Sequence, residues 1–422
     1  MLPSSLYGHA IEAFSQFRAN PAIPADALIR RFYMGRKYLG AKDRRFIAEA
    51  YFGTIKNWRR LESLVQHCFD DKSVTSERLI AAYAILYKGT DPTTAQYIFG
   101  KYDLALTALE CLADRTCETA RLEPLPVAER LGVLYSFPEW FVHRVAEEYG
   151  PDRVEPILAA LNEEAPTTVR TNTLLTSRDA LQDELWSEGC KTSLSLISPE
   201  ALVLERRVNV FSLPAFKRGA FEVQDEASQL IAPFAEIRKT AIKVLDTCAG
   251  AGGKTLHLSV LMKNRGEIFA TDVDPRKLDA LQQRASRSGA QNIRVVLPDD
   301  KEKAFSDKAA WFDLVLVDAP CTGTGTLRRN PGIKWLLTEQ MIVELISKQR
   351  AILEENLHFV KRGGTLLYAT CSLLREEGED QVEWLTGKYP EFTLEEILRT
   401  RPDEKGCDGF FAARLRRKSE AL

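Results

Sequence analysis

The chain has 422 residues, 45% of them hydrophobic, which is enough for several buried cores and about three domains at ~150 residues each. Its 57 Lys and Arg residues are balanced by 59 Asp and Glu residues, which excludes a whole-molecule cationic field that would attract nucleic acid. No apolar run reaches ~18 residues, and residues 1–14 lack the pattern of a signal peptide, so we expect a soluble, cytoplasmic protein with no membrane segment.

The cysteines are too sparse for a disulfide framework in a chain of this length, so we expect free thiols in a reducing compartment. None of them forms a CxxC pair, and no histidine joins them at zinc-ligand spacing, so we expect no metal site. The eight are Cys68, Cys111, Cys117, Cys190, Cys248, Cys321, Cys371 and Cys407.

Apolar residues recur at helical spacing from Ser5 to Tyr149, which predicts an all-helical domain over residues 1–150. Within it, the segment Arg30 to Arg45 holds seven basic residues and a single acid, with aromatic residues among them. This mixture suits contacts to phosphate groups with stacking nearby. Taken alone, the segment is more typical of a solvated helix face.

Turn residues around Pro138 and Gly150 end the helical pattern, and the short runs Thr167 to Thr173 and Ala201 to Leu204 resemble strands. A small α+β subdomain over 151–235 fits them. From residue 236 onward, apolar strands alternate with amphipathic helices, which predicts a parallel sheet covered on both faces. The strands are expected at Lys243 to Asp246, Glu267 to Thr271, Ile293 to Leu297, Phe312 to Val317 and Gly364 to Ala369, and the clearest helix at Glu339 to Val360.

The first of these strands runs into a glycine-rich loop, which is typical of a nucleotide-type cofactor site. The loop comprises Cys248, Ala249, Gly250, Ala251, Gly252, Gly253 and Lys254. It matches neither the dinucleotide nor the P-loop pattern, since each would need glycine at a position held by Thr255 or Cys248. Tight turns also use glycine for steric reasons alone, so the loop by itself leaves the ligand open.

Acidic residues follow the next two strands. Asp272 stands twenty residues after Gly252, where a carboxylate can accept hydrogen bonds from a ribose, so an adenosine-containing cofactor is indicated. Asp299 and Asp300 follow the third strand, from which a carboxylate can reach an adenine amino group. Solvated loop acids are the alternative, which we prefer for Asp300.

The fourth and fifth strands deliver polar residues to the same edge of the sheet, because the carboxyl ends of parallel strands lie together. Asp318 and Cys321 follow the fourth strand, and Cys371 follows the fifth. A lone cysteine is usually a small buried hydrophobe. Two at strand ends in polar loops instead indicate reactive thiols beside the cofactor.

These segments together resemble the Sun (RsmB-like) family of RNA cytosine carbon-5 methyltransferases. The resemblance rests on the loop 248–254, Asp318-Ala319-Pro320-Cys321, Arg328-Arg329-Asn330-Pro331 with Lys334-Trp335, Thr370-Cys371-Ser372, Asp408-Gly409-Phe410-Phe411, and Gly219 with residues 223–228. It covers roughly residues 167–416, and residues 5–149 more loosely resemble the NusB-like RNA-binding domain of ribosomal members. One departure is Ala251, where the family usually has proline; this costs the loop rigidity.

The resemblance implies a Rossmann-like class I methyltransferase domain at 236–422, S-adenosyl-L-methionine as cofactor, and a cytosine of RNA as acceptor. It favours small-subunit ribosomal RNA over transfer RNA. Separately, we expect a monomer that holds no metal. By the match to the Thr-Cys-Ser motif, Cys371 is the expected nucleophile. The cofactor residues are expected to be 248–254, Asp272, Asp299 and Asp318. Beside such a domain, the RNA-binding interpretation of Arg30 to Arg45 becomes the better one, and Arg328 and Arg329 become candidates for phosphate contacts, with an exposed loop pair as the equal alternative.

The reaction itself needs the other two residues. Carbon 5 of cytosine is a poor nucleophile until a thiolate adds to carbon 6, and a second acid/base group must assist release afterwards. Cys321 fits the release role, and Asp318 can hydrogen-bond the ring as charge develops. Two alternatives are a nicotinamide-dependent oxidoreductase and a non-catalytic ribosome-assembly factor. The first leaves the cysteine pair unexplained. The second does not explain why a catalytic residue stands at every position that the reaction needs.

Overall fold

The computed structural model describes residues 1–20 and 22–419, apart from the side chains of Arg115, Cys117 and Lys405. The chain divides into two compact units. Unit 1 is Met1–Glu163 with Leu327–Thr338, and unit 2 is Glu164–Thr326 with the chain from Glu339 onward. No helix of the described residues is long and apolar enough to cross a membrane.

Unit 1 is helical in its described part, and its core is built from apolar residues on facing helices, such as Phe14, Phe17, Tyr51 and Leu79, which are all at most 1% exposed. Side-chain caps fix some of the helix starts: the hydroxyl of Thr75 accepts from the N–H of Arg78. The helices are α1 Pro3–Ala19, α2 Ala25–Met34, α3 Ala41–Lys56, α4 Trp58–Cys68, α5 Ser76–Lys88, α6 Pro92–Ile98, α7 Leu106–Ala113, α8 Arg115–Leu122, α9 Val127–Leu134, α10 Glu139–Tyr149 and α11 Pro151–Ala160, with 3-10 turns at Gly100–Tyr102 and Pro331–Trp335.

The expectation of free thiols is wrong for one pair. Cys68 at the end of α4 and Cys111 in α7 are joined by a disulfide. Their spacing of 43 residues carries no motif, and only the packing of α4 against α7 brings them together. Cys190, Cys248, Cys321, Cys371 and Cys407 are free, and the side chain of Cys117 lies outside the described part.

The segment 327–338 leaves unit 2 in sequence and packs within unit 1. Lys334 is 2% exposed, and its Nζ donates to the carbonyls of Lys56 and Ser136 and to Asn162 Oδ1 at 2.7–3.2 Å. Burial lowers the pKa of this lysine well below its ordinary value. Trp335 donates to the carbonyl of Ile55 at 2.8 Å, so both residues of this sequence motif anchor the segment.

Unit 2 begins with a four-stranded antiparallel sheet in the order β2-β3-β1-β4. Its strands are β1 Thr168–Thr171, β2 Thr192–Leu194, β3 Ala201–Leu204 and β4 Phe221–Val223, and its helices are α12 Arg178–Ser187, α13 Pro214–Lys217 and α14 Glu226–Phe234, with a 3-10 turn at Val210–Ser212. The sequence predicted β1 and β3. Gly219 precedes β4 with φ +81°, and a Cβ there would lie 2.1 Å from the carbonyl oxygen of Arg287.

The rest of unit 2 is a seven-stranded sheet in the order β10-β11-β9-β8-β5-β6-β7, with helices connecting its strands. Strands β7, β6, β5, β8 and β9 are parallel, while β11 pairs antiparallel with both β9 and β10. The elements are β5 Lys243–Asp246, α15 Gly253–Leu261, β6 Glu267–Thr271, α16 Pro275–Ser288, β7 Ile293–Val296, α17 Lys301–Phe305, β8 Phe312–Asp318, α18 Glu339–Leu357, β9 Val360–Thr370, α19 Glu379–Lys388, β10 Phe392–Thr400, α20 Pro402–Lys405 and β11 Phe410–Arg417, with short 3-10 turns at Pro298–Asp300, Thr324–Thr326 and Arg375–Glu377.

This arrangement confirms the predicted Rossmann-like α/β fold with a parallel-sheet core. The direction in which strands are added to the sheet reverses at β5. From β5 the chain adds β6 and β7 on one side, and it then returns to add β8 and β9 on the other side. In open α/β sheets, ligands bind outside the carboxyl ends of the strands at such a switch point. The candidate site is therefore expected where β5, β6, β8 and β9 end.

Candidate active site

The glycine-rich loop turns tightly between β5 and α15. Gly250 and Gly252 have φ of +54° and +88°, the left-handed region that favours glycine. A Cβ on Gly252 would also lie 2.7 Å from Leu281 Cγ, so this glycine is required for packing against α16 as well. Asp272 holds the loop, because its carboxylate accepts from the N–H groups of Gly250 and Asp274, each at 2.9 Å.

The residues around this loop fit a bound nucleotide-type cofactor. Asp246, at the end of β5, is 1% exposed, and its Oδ2 accepts from the hydroxyl of Thr255 at 2.7 Å. Its Oδ1 is buried with no hydrogen-bond partner among the described residues. Burial, the largest cause, raises the pKa of Asp246 to about 7 despite the Thr255 hydrogen bond. A buried acceptor without a partner, at the end of the strand that leads into the glycine-rich loop, is consistent with a polar ligand at this point.

The other predicted cofactor residues differ in their surroundings. Cys248 is partly buried, and burial raises the pKa of its thiol to about 12. The thiol is therefore protonated and uncharged at neutral pH. Ala249 is buried, while Ala251 and Gly253 are partly buried. Asp299 and Asp300 are exposed on the turn after β7. Val273, which follows Asp272, is 85% exposed, which is unusual for an aliphatic side chain.

Lys254 and Asp318 form an ion pair, with 2.6 Å between Nζ and Oδ2. Burial opposes the charge on Lys254, but the interaction with Asp318 outweighs it and the pKa of the lysine is raised. Lys254 also lies over the ring of Phe410, 5.2 Å from its centroid. The pair joins the cofactor loop to the end of β8, and Phe410 is part of the tail motif that the sequence singled out.

Cys321 and Cys371 come together at the ends of β8 and β9, with their Sγ atoms 3.4 Å apart. The hydrogen bond from Cys321 is the largest cause that lowers the pKa of Cys371, and the charge of Lys254 acts in the same direction against burial and Asp318. The same hydrogen bond, together with burial, raises the pKa of Cys321 well above its ordinary value. The two thiols are therefore unequal, and these opposite pKa shifts favour a thiolate at Cys371 over one at Cys321.

A buried carboxylate that sequence reasoning missed links the two cysteine loops. Glu377 is fully buried, and its Oε1 accepts from the N–H of Thr322 at 2.9 Å and from Gln349 Nε2 at 3.0 Å. Its backbone carbonyl accepts from the hydroxyls of Tyr368 and Thr370 at 2.9 and 3.2 Å. Glu377 thereby fixes the residue after Cys321 and the strand that leads to Cys371.

The backbone of Gly325 contacts that of Gly409. Gly409 N donates to Gly325 O at 2.9 Å, and Gly325 N donates to the carbonyl of Cys371 at 3.0 Å. A Cβ on Gly325 would lie 2.1 Å from the carbonyl oxygen of Gly409. The glycines allow the loop after Cys321, the loop after Cys371 and the start of β11 to approach closely.

The basic segment Arg30 to Arg45 lies in unit 1 and runs from the second half of α2 into the start of α3. Two of its arginines are structural: Arg36 lies over the ring of Phe32 and pairs with Glu12, and Arg44 donates to the carbonyl of Leu39 at 3.0 Å. Arg30 is exposed but pairs with Asp26. Arg31, Lys37, Lys42 and Arg45 are exposed and have no ion pair with any described residue, and Tyr38 is 65% exposed.

The other candidates for phosphate contacts were Arg328 and Arg329. Arg328 is buried and Arg329 is exposed.

Comparisons with known proteins identify the family of the chain. Residues 237–416 match the model of the 16S rRNA methyltransferase RsmB/F family, and residues 137–211 match the ferredoxin-like domain of RsmF/B-like methyltransferases. The chain is 31% identical to ribosomal RNA small subunit methyltransferase B of Sodalis glossinidius, over 91% of this chain and 92% of that protein.

Two solved structures resemble the chain. The crystal structure of PH0851 has a TM-score of 0.77 at 28% identity and covers 98% of this chain and 99% of its own. A methyltransferase homolog protein from Pyrococcus horikoshii has a TM-score of 0.62 at 28% identity and covers 69% of this chain and 99% of its own.

These findings confirm the family predicted from the motifs, and with it S-adenosyl-L-methionine as the cofactor. They exclude the alternative of a nicotinamide-dependent oxidoreductase. That alternative also gave no role to the two thiols. The chain belongs to the RsmB/F family of ribosomal RNA methyltransferases.

Proposed function

We propose that the chain methylates carbon 5 of a cytosine in small-subunit ribosomal RNA through a covalent bond between Cys371 and the base. The observation that supports this most strongly is the Sγ–Sγ distance of 3.4 Å between Cys321 and Cys371. Methylation at oxygen or at an exocyclic nitrogen needs no thiol, whereas methylation at carbon 5 needs one to add to the ring and benefits from a second to assist release.

Cys371 acts first in this scheme. Its thiolate adds to carbon 6 of the cytosine, the carbon 5–carbon 6 double bond opens, and the electron pair makes carbon 5 nucleophilic. When bound, S-adenosyl-L-methionine supplies the electrophilic methyl group. Lys254 supports the thiolate, because its charge lowers the pKa of Cys371.

Cys321 completes the cycle. In the resting site its thiol lies within hydrogen-bond distance of Cys371. Once Cys371 is bonded to carbon 6, Cys321 releases its proton to solvent and serves as the base that takes the proton from carbon 5. Loss of that proton restores the ring double bond and expels Cys371. Glu377 accepts a hydrogen bond from the N–H of Thr322, the residue after Cys321. This contact holds Cys321 in place beside Cys371.

Asp318 and the cofactor loop position the reactants. Asp318 follows directly from the buried part of β8 and is paired with Lys254, so its second oxygen can receive a hydrogen bond from the base without leaving the ion pair. Residues 248–254 with Asp272 are the proposed cofactor cradle, and the exposed side chain of Val273 is a candidate apolar contact for the cofactor. Asp299 is the weaker candidate, since it is exposed and only its place after β7 supports it.

The RNA must present its cytosine outside a helical stack, because carbon 6 is unreachable in a paired base. Arg31, Lys37, Lys42 and Arg45 are the proposed phosphate contacts, because they are exposed and unpaired among the described residues, and Tyr38 provides a nearby ring for stacking. We propose that the protein acts as a monomer in the cytoplasm, where its RNA substrate is found.

The proposal is tested by incubating the protein with unmodified small-subunit ribosomal RNA and S-adenosyl-L-methionine carrying a labelled methyl group, followed by bisulfite mapping of the RNA. We expect label at one cytosine and protection of that cytosine from bisulfite conversion. Label that appears only on other bases, or on cytosines that remain convertible, would contradict carbon-5 chemistry. RNA binding without any label would favour the non-catalytic assembly factor.

A further inference from the structure

We infer that Arg284 of α16 is a positioning residue of the cofactor loop, the segment 248–254, which it holds by the carbonyl oxygen of Ala251. The inference deepens the proposed function, since it rests on the use of this loop for the cofactor. Arg284 lies 33 residues beyond Ala251 in the chain and belongs to none of the sequence motifs.

The contacts of Arg284 form a fork with two separate targets. Its Nη1 donates to the carbonyl of Ala251 at 2.6 Å, while Nε and Nη2 donate to one carboxylate oxygen of Glu222 at 3.1 and 2.9 Å. Glu222 lies on β4 and is 4% exposed. The guanidinium is therefore fixed by a buried carboxylate on one side and can hold the loop rigidly on the other.

A second arginine holds the loop from the small sheet. Arg170 on β1 is directly opposite Glu222 on β4, and its Nη1 donates to the carbonyl of Gly253 at 2.8 Å. Burial lowers the pKa of Arg170 to about 10, which still leaves it charged at neutral pH. The carbonyls of Ala251 and Gly253 are thus each held by a guanidinium group. Arg284 donates to the carboxylate of Glu222, and Arg170 lies opposite Glu222 in the small sheet.

The loop needs such support because of its composition. Gly250 and Gly252 flank Ala251, and glycine loses more conformational freedom on ordering than any other residue. A proline at 251 would restrict the loop through its fixed φ, but this chain has alanine there. The hydrogen bond from Arg284 to the carbonyl of the same residue restricts the loop from outside.

The chain offers a matched control. Arg287 also lies on α16, also pairs with Glu222 and has the same 22% side-chain exposure as Arg284. It lies over the ring of Phe216, 4.0 Å from the centroid, and has no hydrogen bond to the cofactor loop. Removing either arginine therefore removes one ion-pair partner of Glu222. Only the removal of Arg284 also removes a hydrogen bond to the cofactor loop.

The experiment measures the Kd of S-adenosylhomocysteine by calorimetry for the full-length protein, Arg284→Gln and Arg287→Gln. We expect Arg284→Gln to bind about tenfold more weakly, the size of one lost charged hydrogen bond. Arg287→Gln should stay within about twofold of the unaltered protein. Thermal unfolding without ligand is measured in parallel, to compare the loss of fold stability in the two variants.

Proline at 251 then distinguishes positioning from general stability. The N–H of Ala251 has no hydrogen-bond partner among the described residues and its φ is not positive, so neither a lost hydrogen bond nor a left-handed φ excludes proline there. Ala251→Pro should recover about two- to fivefold of the affinity in the Arg284→Gln background and change the unaltered protein less. A role limited to fold stability would not be rescued in this way.

Each result is decisive. Unchanged affinity in Arg284→Gln, an equal loss in both arginine variants, or no recovery with proline would overturn the inference while the proposed function stands. Failure of the unaltered protein to bind S-adenosylhomocysteine at all would contradict the proposed use of the loop and the inference with it. A selective loss in Arg284→Gln with recovery by Ala251→Pro would support the inference.

Discussion

The Sγ atoms of Cys321 and Cys371 lie 3.4 Å apart, within hydrogen-bond distance, although fifty residues separate the two in the chain. The contact exists because β8 and β9 are parallel neighbours whose carboxyl ends lie at one edge. It makes the two cysteines chemically different, with the pKa of Cys371 lowered and that of Cys321 raised. Several expected outcomes depend on this asymmetry.

The pH dependence of Cys371 reactivity should change when its partner is removed. In Cys321→Ala the main cause that lowers the pKa of Cys371 is lost, so its pKa should rise and its alkylation at neutral pH should slow. The measurement is the rate of iodoacetamide labelling of the Cys371 peptide against pH, followed by mass spectrometry. Cys190→Ala, a substitution in the core of the small sheet, should leave the profile unchanged. An unchanged profile in Cys321→Ala would show that the hydrogen bond does not set the pKa.

Gly325 should tolerate no side chain. The Cβ of Gly325→Ala would meet the carbonyl oxygen of Gly409 at 2.1 Å and push apart the loops that carry the cysteines. We expect at least a hundredfold loss of methyl transfer and about 2–4 kcal/mol of lost stability, measured by single-turnover kinetics and urea unfolding. Gly387→Ala on α19 is the control, because nothing lies within 4 Å of its Cβ and alanine favours a helix, so this variant should keep its activity and its stability. Normal activity in Gly325→Ala would show that the close contact is unnecessary.

Lys254 and Asp318 should be coupled in stability. Lys254→Met leaves the half-buried carboxylate of Asp318 unpaired, which should cost about 1–3 kcal/mol after allowance for its partial exposure. Adding Asp318→Asn removes the orphaned charge and should recover part of that loss, although methyl transfer stays impaired in both variants. Urea unfolding of the two single variants and the double variant measures the coupling. Additive losses would mean that the pair contributes no interaction energy.

The exposed basic residues of unit 1 should contribute to RNA affinity through salt-dependent contacts. The triple variant Lys37→Ala, Lys42→Ala, Arg45→Ala should bind small-subunit ribosomal RNA more weakly, and the slope of log K against log salt should fall by about 0.7–0.9 per lost contact. Filter binding at several salt concentrations gives this slope. Lys88→Ala is the control, because Lys88 is paired with Glu49. An unchanged slope in the triple variant would leave this face as a solvated helix surface.

Much of the catalytic fold was predictable because buried parallel strands have a clear apolar pattern. The runs at Lys243–Asp246 and Glu267–Thr271 are strands at the predicted residues. Strand β10 was not predicted, because it is an edge strand whose central residues 393–397 are all exposed, so no alternating pattern marks it. Its partner β11 was recognised only as the tail motif around Gly409.

The site was predictable in part for the same reason. Asp318, Cys321 and Cys371 stand at strand ends, and parallel topology alone gathers them at one edge. Glu377 and Arg284 were missed because they act through hydrogen bonds to residues far away in sequence, and neither belongs to a pattern. The disulfide between Cys68 and Cys111 was missed because only helix packing brings the two cysteines together.

Trapping the covalent RNA complex tests the central claim most directly. Without Cys321 to take the proton from carbon 5, the bond between Cys371 and the base cannot break, so Cys321→Ala incubated with S-adenosyl-L-methionine and unmodified ribosomal RNA should yield a complex that survives denaturing electrophoresis. Cys371→Ala and the double variant should yield none, and neither should transfer methyl groups. A complex that forms in Cys371→Ala, or methyl transfer that persists in it, would contradict the assignment of Cys371 as the nucleophile.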